Sequence, residues 1–187
     1  MGYTREQLES FVGASVPDLI GDHCRLLFVG INPGLWTVAT QTHFCHPSNR
    51  FYPALRKVGL IDWTVDTTSG MTEAQRQDFV GAGMGITNLV SRATARASEL
   101  TQVELRQGGE RLVRLVDDVD PAAVAVAGIT AYRTAFADPN AGLGSQSRSF
   151  GKSAVWAVPN PSGLNAHETV ASLADWYRRA AIEAGLA

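Results

Sequence analysis

The chain has 187 residues, 45% of them hydrophobic, and a formal net charge of −2. That length suits one packed domain over residues 1–187 rather than two, and the charge excludes a protein that coats nucleic acid by bulk electrostatics while allowing a local basic face. No apolar run approaches the roughly 20 residues that span a bilayer. The start, MGYTREQLES, lacks the basic and apolar regions of a signal peptide, so a cytoplasmic protein without a membrane partner is expected. Two cysteines, Cys24 and Cys45, are too few for a disulfide framework or, alone, for an iron–sulfur cluster.

In chain order, residues 4–12 read as a short helix capped by Thr4. Leu26-Leu27-Phe28-Val29 is an uncharged apolar run, the pattern of a strand buried on both faces of a parallel sheet. It stops at Gly30-Ile31-Asn32-Pro33-Gly34, a sharp turn at the carboxyl end of a strand, where open α/β sheets form their ligand crevices. Ser48-Asn49 supplies caps for a helix carrying Phe51, Leu55 and Val58 and stopping at Gly59. A polar connection over residues 62–70 and a helix over 72–80 follow, and residues 84–90 form a second strand with Thr87 and Asn88 near its exit.

Thr101-Gln102-Val103-Glu104 has the form of a capping box, Leu105, Leu112, Val116 and Val119 mark one face of a longer helix, and Asp120-Pro121 ends it. Residues 122–127 suit a central strand, and Gly128-Ile129-Thr130 turns into another helix. Residues 138–152 read as loop, with Arg148 and Lys152 as phosphate contacts. Residues 154–158 form a fourth strand running into Pro159-Asn160-Pro161-Ser162-Gly163-Leu164-Asn165. In the final helix Asn165 and Glu168 have cap spacing, and Val170, Leu173, Tyr177, Ala180 and Ala184 repeat at helical intervals. Strands alternating with helices predict an α/β fold with a parallel sheet and right-handed crossovers.

Three motifs in order, Gly30-Ile31-Asn32-Pro33-Gly34-Leu35, His46-Pro47-Ser48-Asn49-Arg50-Phe51 and Pro159-Asn160-Pro161-Ser162-Gly163-Leu164, resemble those of the mismatch-specific uracil/thymine DNA glycosylases. The resemblance runs from about Arg25 to about Tyr177. It implies a three-layer α/β/α sandwich with a short, mainly parallel central sheet, no metal or organic cofactor, and excision of uracil or related pyrimidines from mismatched duplex DNA. By matching position, Asn32 is the water-positioning asparagine, Phe44 the base-stacking aromatic and Leu164 the intercalating wedge. Gly30, Ile31, Pro33, Gly34, Thr37 and Asn88 are the further substrate-binding candidates. Ser162, Gly163, Asn165, Asn49, Arg50, Arg148 and Lys152 are the candidate DNA contacts. Double-stranded DNA with U·G or related mismatches is the expected partner, bound by a monomer.

The residue chemistry is compatible with those roles and with plainer ones. A base inside a duplex must be flipped before a protein pocket can reach its glycosidic bond, and an apolar side chain on a tight loop can fill the vacated stack. Leu164 suits that task or a place in the core. Phe44 offers a face to an extracted pyrimidine, or is a core phenylalanine. Asn32 can align water with the anomeric carbon, but a neutral amide is no strong general base; its alternative is capping a turn. His43, Cys45 and His46 match no zinc pattern, the His-x-Glu and Pro-Cys-x-x-Cys pair of base deaminases is absent, and no phosphate-binding glycine loop is present.

Two departures from the family bear on specificity. Many relatives have small residues after the first motif, whereas Trp36 and Thr37 stand here, which predicts a pocket narrowed beside the pyrimidine C5 position and uracil preferred over thymine. After Leu164 comes Asn165-Ala166, where some relatives carry Ser followed by Arg, so a weaker grip on the opened duplex is expected. With no lysine beside Asn32 to form a Schiff base, a monofunctional glycosylase leads a noncatalytic damage-binding module and an unrelated nucleotide-binding α/β enzyme.

Overall fold

The computed structural model describes residues 2–187. The elements are α1 (Arg5–Glu9), β1 (Leu26–Gly30), α2 (Leu35–Thr40), α3 (Phe51–Val58), α4 (Glu73–Gly81), β2 (Met84–Asn88), α5 (Gln102–Val119), β3 (Ala123–Ala127), α6 (Ile129–Ala135), β4 (Gly144–Phe150), β5 (Ser153–Val158) and α7 (Val170–Glu183). The sheet order is β2-β1-β3-β5-β4. β2, β1, β3 and β5 are parallel, and β4 returns antiparallel along the outer side of β5. This is the expected α/β/α sandwich.

The two-residue period of a strand assigns the layers. In β1, Leu26 and Phe28 pack with Phe51, Leu55 and Tyr177 of α3 and α7, whereas Leu27 and Val29 pack with Leu112 and Val116 of α5 and Tyr132 of α6. All five residues of β1 are buried, as are those of β2 and β3, which is why these strands read as continuous apolar or small runs. Parallel alignment brings Gly30, Asn88 and the chain leaving Val158 to one end of the sheet, and the candidate site sits there.

Gly108 sets the approach of α5 to that end. A glycine inside a helix costs about 1 kcal/mol relative to alanine. A Cβ at Gly108, however, would lie 2.3 Å from the carbonyl oxygen of Leu89, so a side chain there would push the helix off the exit of β2. The capping box foreseen at Thr101 and Glu104 starts this helix, and Thr72 with Gln75 caps α4 in the same way.

Several expectations are corrected. α1 is shorter than residues 4–12, because the chain leaves the helix through a turn after Glu9 and bonds Gly13 to Ala93. Residues 35–40, for which the sequence suggested no element, form α2, which buries Leu35, Thr37, Val38 and Thr40. Residues 144–150, read as loop, form β4; as an edge strand it exposes most of its side chains and shows no alternating apolar pattern. α7 starts at Val170 with Thr169 and Ser172 as its capping box, so Asn165 and Glu168 belong to the preceding loop.

Candidate active site

A cavity of about 600 Å³ opens at the carboxyl end of the sheet. Of the residues singled out from sequence, Ile31, Asn32, Pro33, Gly34, Thr37, Phe44, Asn49, Asn88, Ser162, Leu164 and Asn165 line it. They come from the exits of β1, β2 and β5, from α2 and from the segment leading into α3.

Asn32 is held by its nitrogen. Nδ2 donates to Thr94 Oγ1 at 2.7 Å, to the Arg92 carbonyl at 3.1 Å and to the Pro33 carbonyl at 3.2 Å. Three oxygens around one branch identify it as the NH2 group and leave Oδ1 as the free acceptor of a half-buried side chain that lines the cavity. Thr94 in turn donates its hydroxyl to the Arg96 carbonyl at 2.9 Å, which commits its lone pairs to Asn32. The loop carrying Arg92 and Thr94 is tied down by Arg92 Nε donating to Glu104 Oε1 at 2.5 Å. That bond, followed by those from Thr101, holds the Glu104 carboxyl at about 2, well below its ordinary value, so it stays ionised.

The floor is built by Gly30, Asn88 and His43. His43 is buried, with Nε2 2.9 Å from the Pro17 carbonyl. Burial lowers its pKa ahead of every other influence, so the ring is neutral at physiological pH. Nε2–H donates to Pro17, and Nδ1 accepts from Asn88 Nδ2 at 3.1 Å. The tautomer thereby fixes the Asn88 carboxamide, leaving Oδ1 and the second N–H for a ligand. Gly30 does not line the cavity; it lies beneath, where a Cβ would come within 2.4 Å of Asn88 Oδ1 and 3.2 Å of Phe44 Cζ.

Phe44 has a positive φ of 57°, uncommon for an aromatic residue. The neighbouring backbone is fixed by Tyr52, whose hydroxyl donates to the His43 carbonyl at 2.8 Å. The Phe44 ring stacks on Phe51, with centroids 4.2 Å apart and planes at 27°. One ring face is thus backed by the core, and Phe44 is a cavity wall rather than a core filler.

Leu164 is 90% exposed, which excludes the core alternative. It stands on a braced loop. Ser162 N donates to Asn160 Oδ1 at 3.0 Å, Asn165 N to the Ser162 carbonyl at 2.9 Å, and Asn165 Nδ2 to the Asn160 carbonyl at 3.0 Å. Gly163 does not line the cavity but backs onto Ser48, whose Oγ a Cβ at position 163 would meet at 2.4 Å.

Arg50 is placed differently from expectation. Its guanidinium donates to the carbonyls of Ser162 at 2.6 Å, Asn165 at 2.7 Å and Glu168, and its backbone N–H donates to Pro161 at 3.0 Å. It is spent on the loop that carries Leu164, so it is not free for phosphate. Arg50→Ala and Leu164→Ala should therefore be strongly non-additive in duplex binding: once the loop is loose, removing the leucine costs little more. A double-mutant cycle on binding to a uracil-containing duplex checks this; additive penalties would separate the two residues.

Three further expectations are corrected. Trp36 does not line the cavity: its Nε1 donates to the Thr67 carbonyl at 2.5 Å and its ring meets Tyr3 and His46 edge-on, so Thr37 alone narrows that side. Arg148 lies on β4 with its guanidinium over the Phe136 ring and donating to the Phe136 carbonyl at 3.1 Å. Lys152 is in the turn before β5. Because β5 runs parallel to β1, both lie toward the opposite end of the sheet from Asn32. Asn49 uses Oδ1 to accept from Phe51 N at 2.9 Å, capping the start of α3.

Sequence reasoning missed Thr94, Arg96 and the structural part played by His43. His43, Cys45 and His46 do not converge as ligands, since His43 is committed to Pro17 and Asn88 and Cys45 donates to the Asp66 carbonyl at 3.7 Å. Arg96 brings an exposed cation to the cavity mouth and makes no ion pair among the described residues. A neutral amide oxygen facing a cavity with one aromatic wall, one fixed carboxamide on the floor and an exposed leucine at the rim is an arrangement that can hold a planar ring with polar edges. A family model described as the Uracil DNA glycosylase superfamily matches residues 17–184, from the lead-in to β1 to the end of α7. The chain belongs to the uracil DNA glycosylase superfamily.

Proposed function

We propose that this protein is a monofunctional glycosylase that removes uracil from mismatched duplex DNA and leaves an abasic site for base excision repair. The observation that carries the reading is the carboxamide of Asn32, held by three oxygens on its nitrogen so that Oδ1 is the free acceptor at the cavity. A flipped uridine stacks its base on Phe44 and meets Asn88 with its polar edge. As the glycosidic bond lengthens, the sugar gains oxocarbenium character and the base gains negative charge, which the second N–H of Asn88 stabilises. Asn32 Oδ1 accepts a hydrogen bond from water and aligns it with the anomeric carbon. As the new C–O bond forms, the water gives up a proton that passes through solvent to the departing uracil anion, so the products are neutral uracil and an abasic sugar; without a carboxylate at this position catalysis is slower than general-base catalysis.

Leu164 fills the gap left by the flipped nucleotide, and a mismatch lowers the cost of that opening, which favours U·G over U·A. Arg96, which lines the same cavity as Leu164, supplies a phosphate contact and in part makes up for Ala166. No lysine lines the cavity among the described residues, which fits hydrolysis without strand cleavage.

The test is a single-turnover assay on a U·G oligonucleotide followed by alkaline scission of abasic sites. Alkali-dependent cleavage is expected with the wild type; binding without cleavage would favour a noncatalytic damage-binding module. Thr37, only 6% exposed, gives the specificity arm. Thr37→Ala should raise excision of thymine from T·G relative to uracil from U·G by about tenfold or more, the worth of a small apolar group in a pocket. An unchanged ratio would remove Thr37 from substrate selection.

A further inference from the structure

A second cavity of about 560 Å³ adjoins the first and shares Phe44, His46 and Asn49 with it. Its far wall is Trp63, and Tyr52 and Pro53 contribute from α3. Trp63 is tethered, since its Nε1 donates to Asp78 Oδ2 at 2.7 Å. Arg56 and Lys57, in the last turn of α3, line the same cavity, are exposed, and make no ion pair among the described residues. Two carboxylates on this side are occupied: Asp78 holds Trp63, and Asp66 Oδ1 accepts from the amides of Thr68 and Ser69.

We propose that this cavity is a subsite for the nucleotide adjoining the flipped one on the damaged strand, its base against Trp63 and its two flanking phosphates on Arg56 and Lys57. The inference rests on the glycosylase reading and adds to it where the strand goes. An aromatic wall beside a strip of unpaired cations is the composition that holds an unstacked, anionic strand, and it suits neither an acidic peptide without rings nor a neutral hydrophobe. Continuity places the subsite. Phe44 is a wall of both cavities, and Arg56 lies six residues beyond Arg50, about 9 Å along the helix axis, within reach of the neighbouring nucleotide.

The test compares wild type with Arg56→Gln/Lys57→Gln, both exposed positions whose neutralisation leaves the core intact, and with Trp63→Ala. Two readouts are used: equilibrium binding to a uracil-containing duplex across salt, and single-turnover excision from duplexes truncated immediately 5′ or immediately 3′ of the uridine. The double variant is expected to flatten the logarithmic salt slope by about 1.8, from two lost phosphate contacts. It should raise the half-saturating concentration at least severalfold with an unchanged maximal rate, and one of the two truncations should erase the difference from wild type. Trp63→Ala should weaken binding of the intact duplex but not of that same truncated one. An unchanged salt slope, or a penalty that persists in both truncations, would overturn the subsite. Absence of excision by the wild type on every duplex would instead overturn the glycosylase reading, which the binding series tells apart.

Discussion

Asn32→Ala is expected to slow single-turnover excision from a U·G duplex by about 10²–10³-fold while leaving duplex affinity within a few fold, because it deletes a group that acts on the attacking water rather than on bound DNA. The hydrogen bonds of its nitrogen sharpen the expectation. Asn32→Asp should not restore the rate at neutral pH, since a carboxylate oxygen would then face the Arg92 and Pro33 carbonyls that now accept N–H bonds. Thr94→Val probes the same support from behind: it removes the shortest of the three bonds that hold the carboxamide, so the orientation of Oδ1 loosens and the rate falls with little change in binding. Excision by Asn32→Ala at the wild-type rate would remove the carboxamide from the chemistry and with it the proposed mechanism.

Gly30→Ala should be as damaging through space alone. A single methyl there would stand 2.4 Å from Asn88 Oδ1 and 3.2 Å from Phe44 Cζ, so both groups must move into the space a pyrimidine needs. Overpacking of this kind costs about 1–3 kcal/mol of stability. For a chain of this size that lowers Tm by roughly 2–12 °C and leaves the protein folded at ordinary assay temperatures. The catalytic loss should be larger, about 10²-fold or more, because an ångström of misplacement near the reacting centre has that effect. Thermal melting and excision measured on the same preparation check the split; near-normal excision would mean that Asn88 and Phe44 do not define the pocket.

The parts of the molecule that could be read from sequence are those whose cause is local. The parallel strands announced themselves as apolar runs, and the caps at Thr4 and Thr101 are satisfied within one helical turn. α2 was opaque because Trp36, Thr37, Val38 and Thr40 are modest helix formers, and its stability comes from burying Leu35 and Val38 against Val16 and Ala93. β4 carries Gln146, Ser147 and Arg148 in a row with no apolar alternation, since only one of its edges is paired. Of the candidate site, Asn32 and Leu164 were visible as motif residues and Phe44 by its position between two motifs. Thr94 and the tie between His43 and Asn88 were not, because they join positions 62 and 45 residues apart, and no periodicity encodes such a contact. Arg50 was visible as a cation, but only the folded loop shows that its guanidinium serves three carbonyls.

The hairpin between β4 and β5 turns at Gly151 and Lys152, both exposed, at the end of the sheet opposite Gly30. A fluorophore or surface tether attached through Lys152 would therefore point away from a duplex lying over Asn32. Immobilised that way, individual molecules offer the whole lesion-seeking side to solution, so encounter and dwell on long DNA can be timed without the anchor obstructing either.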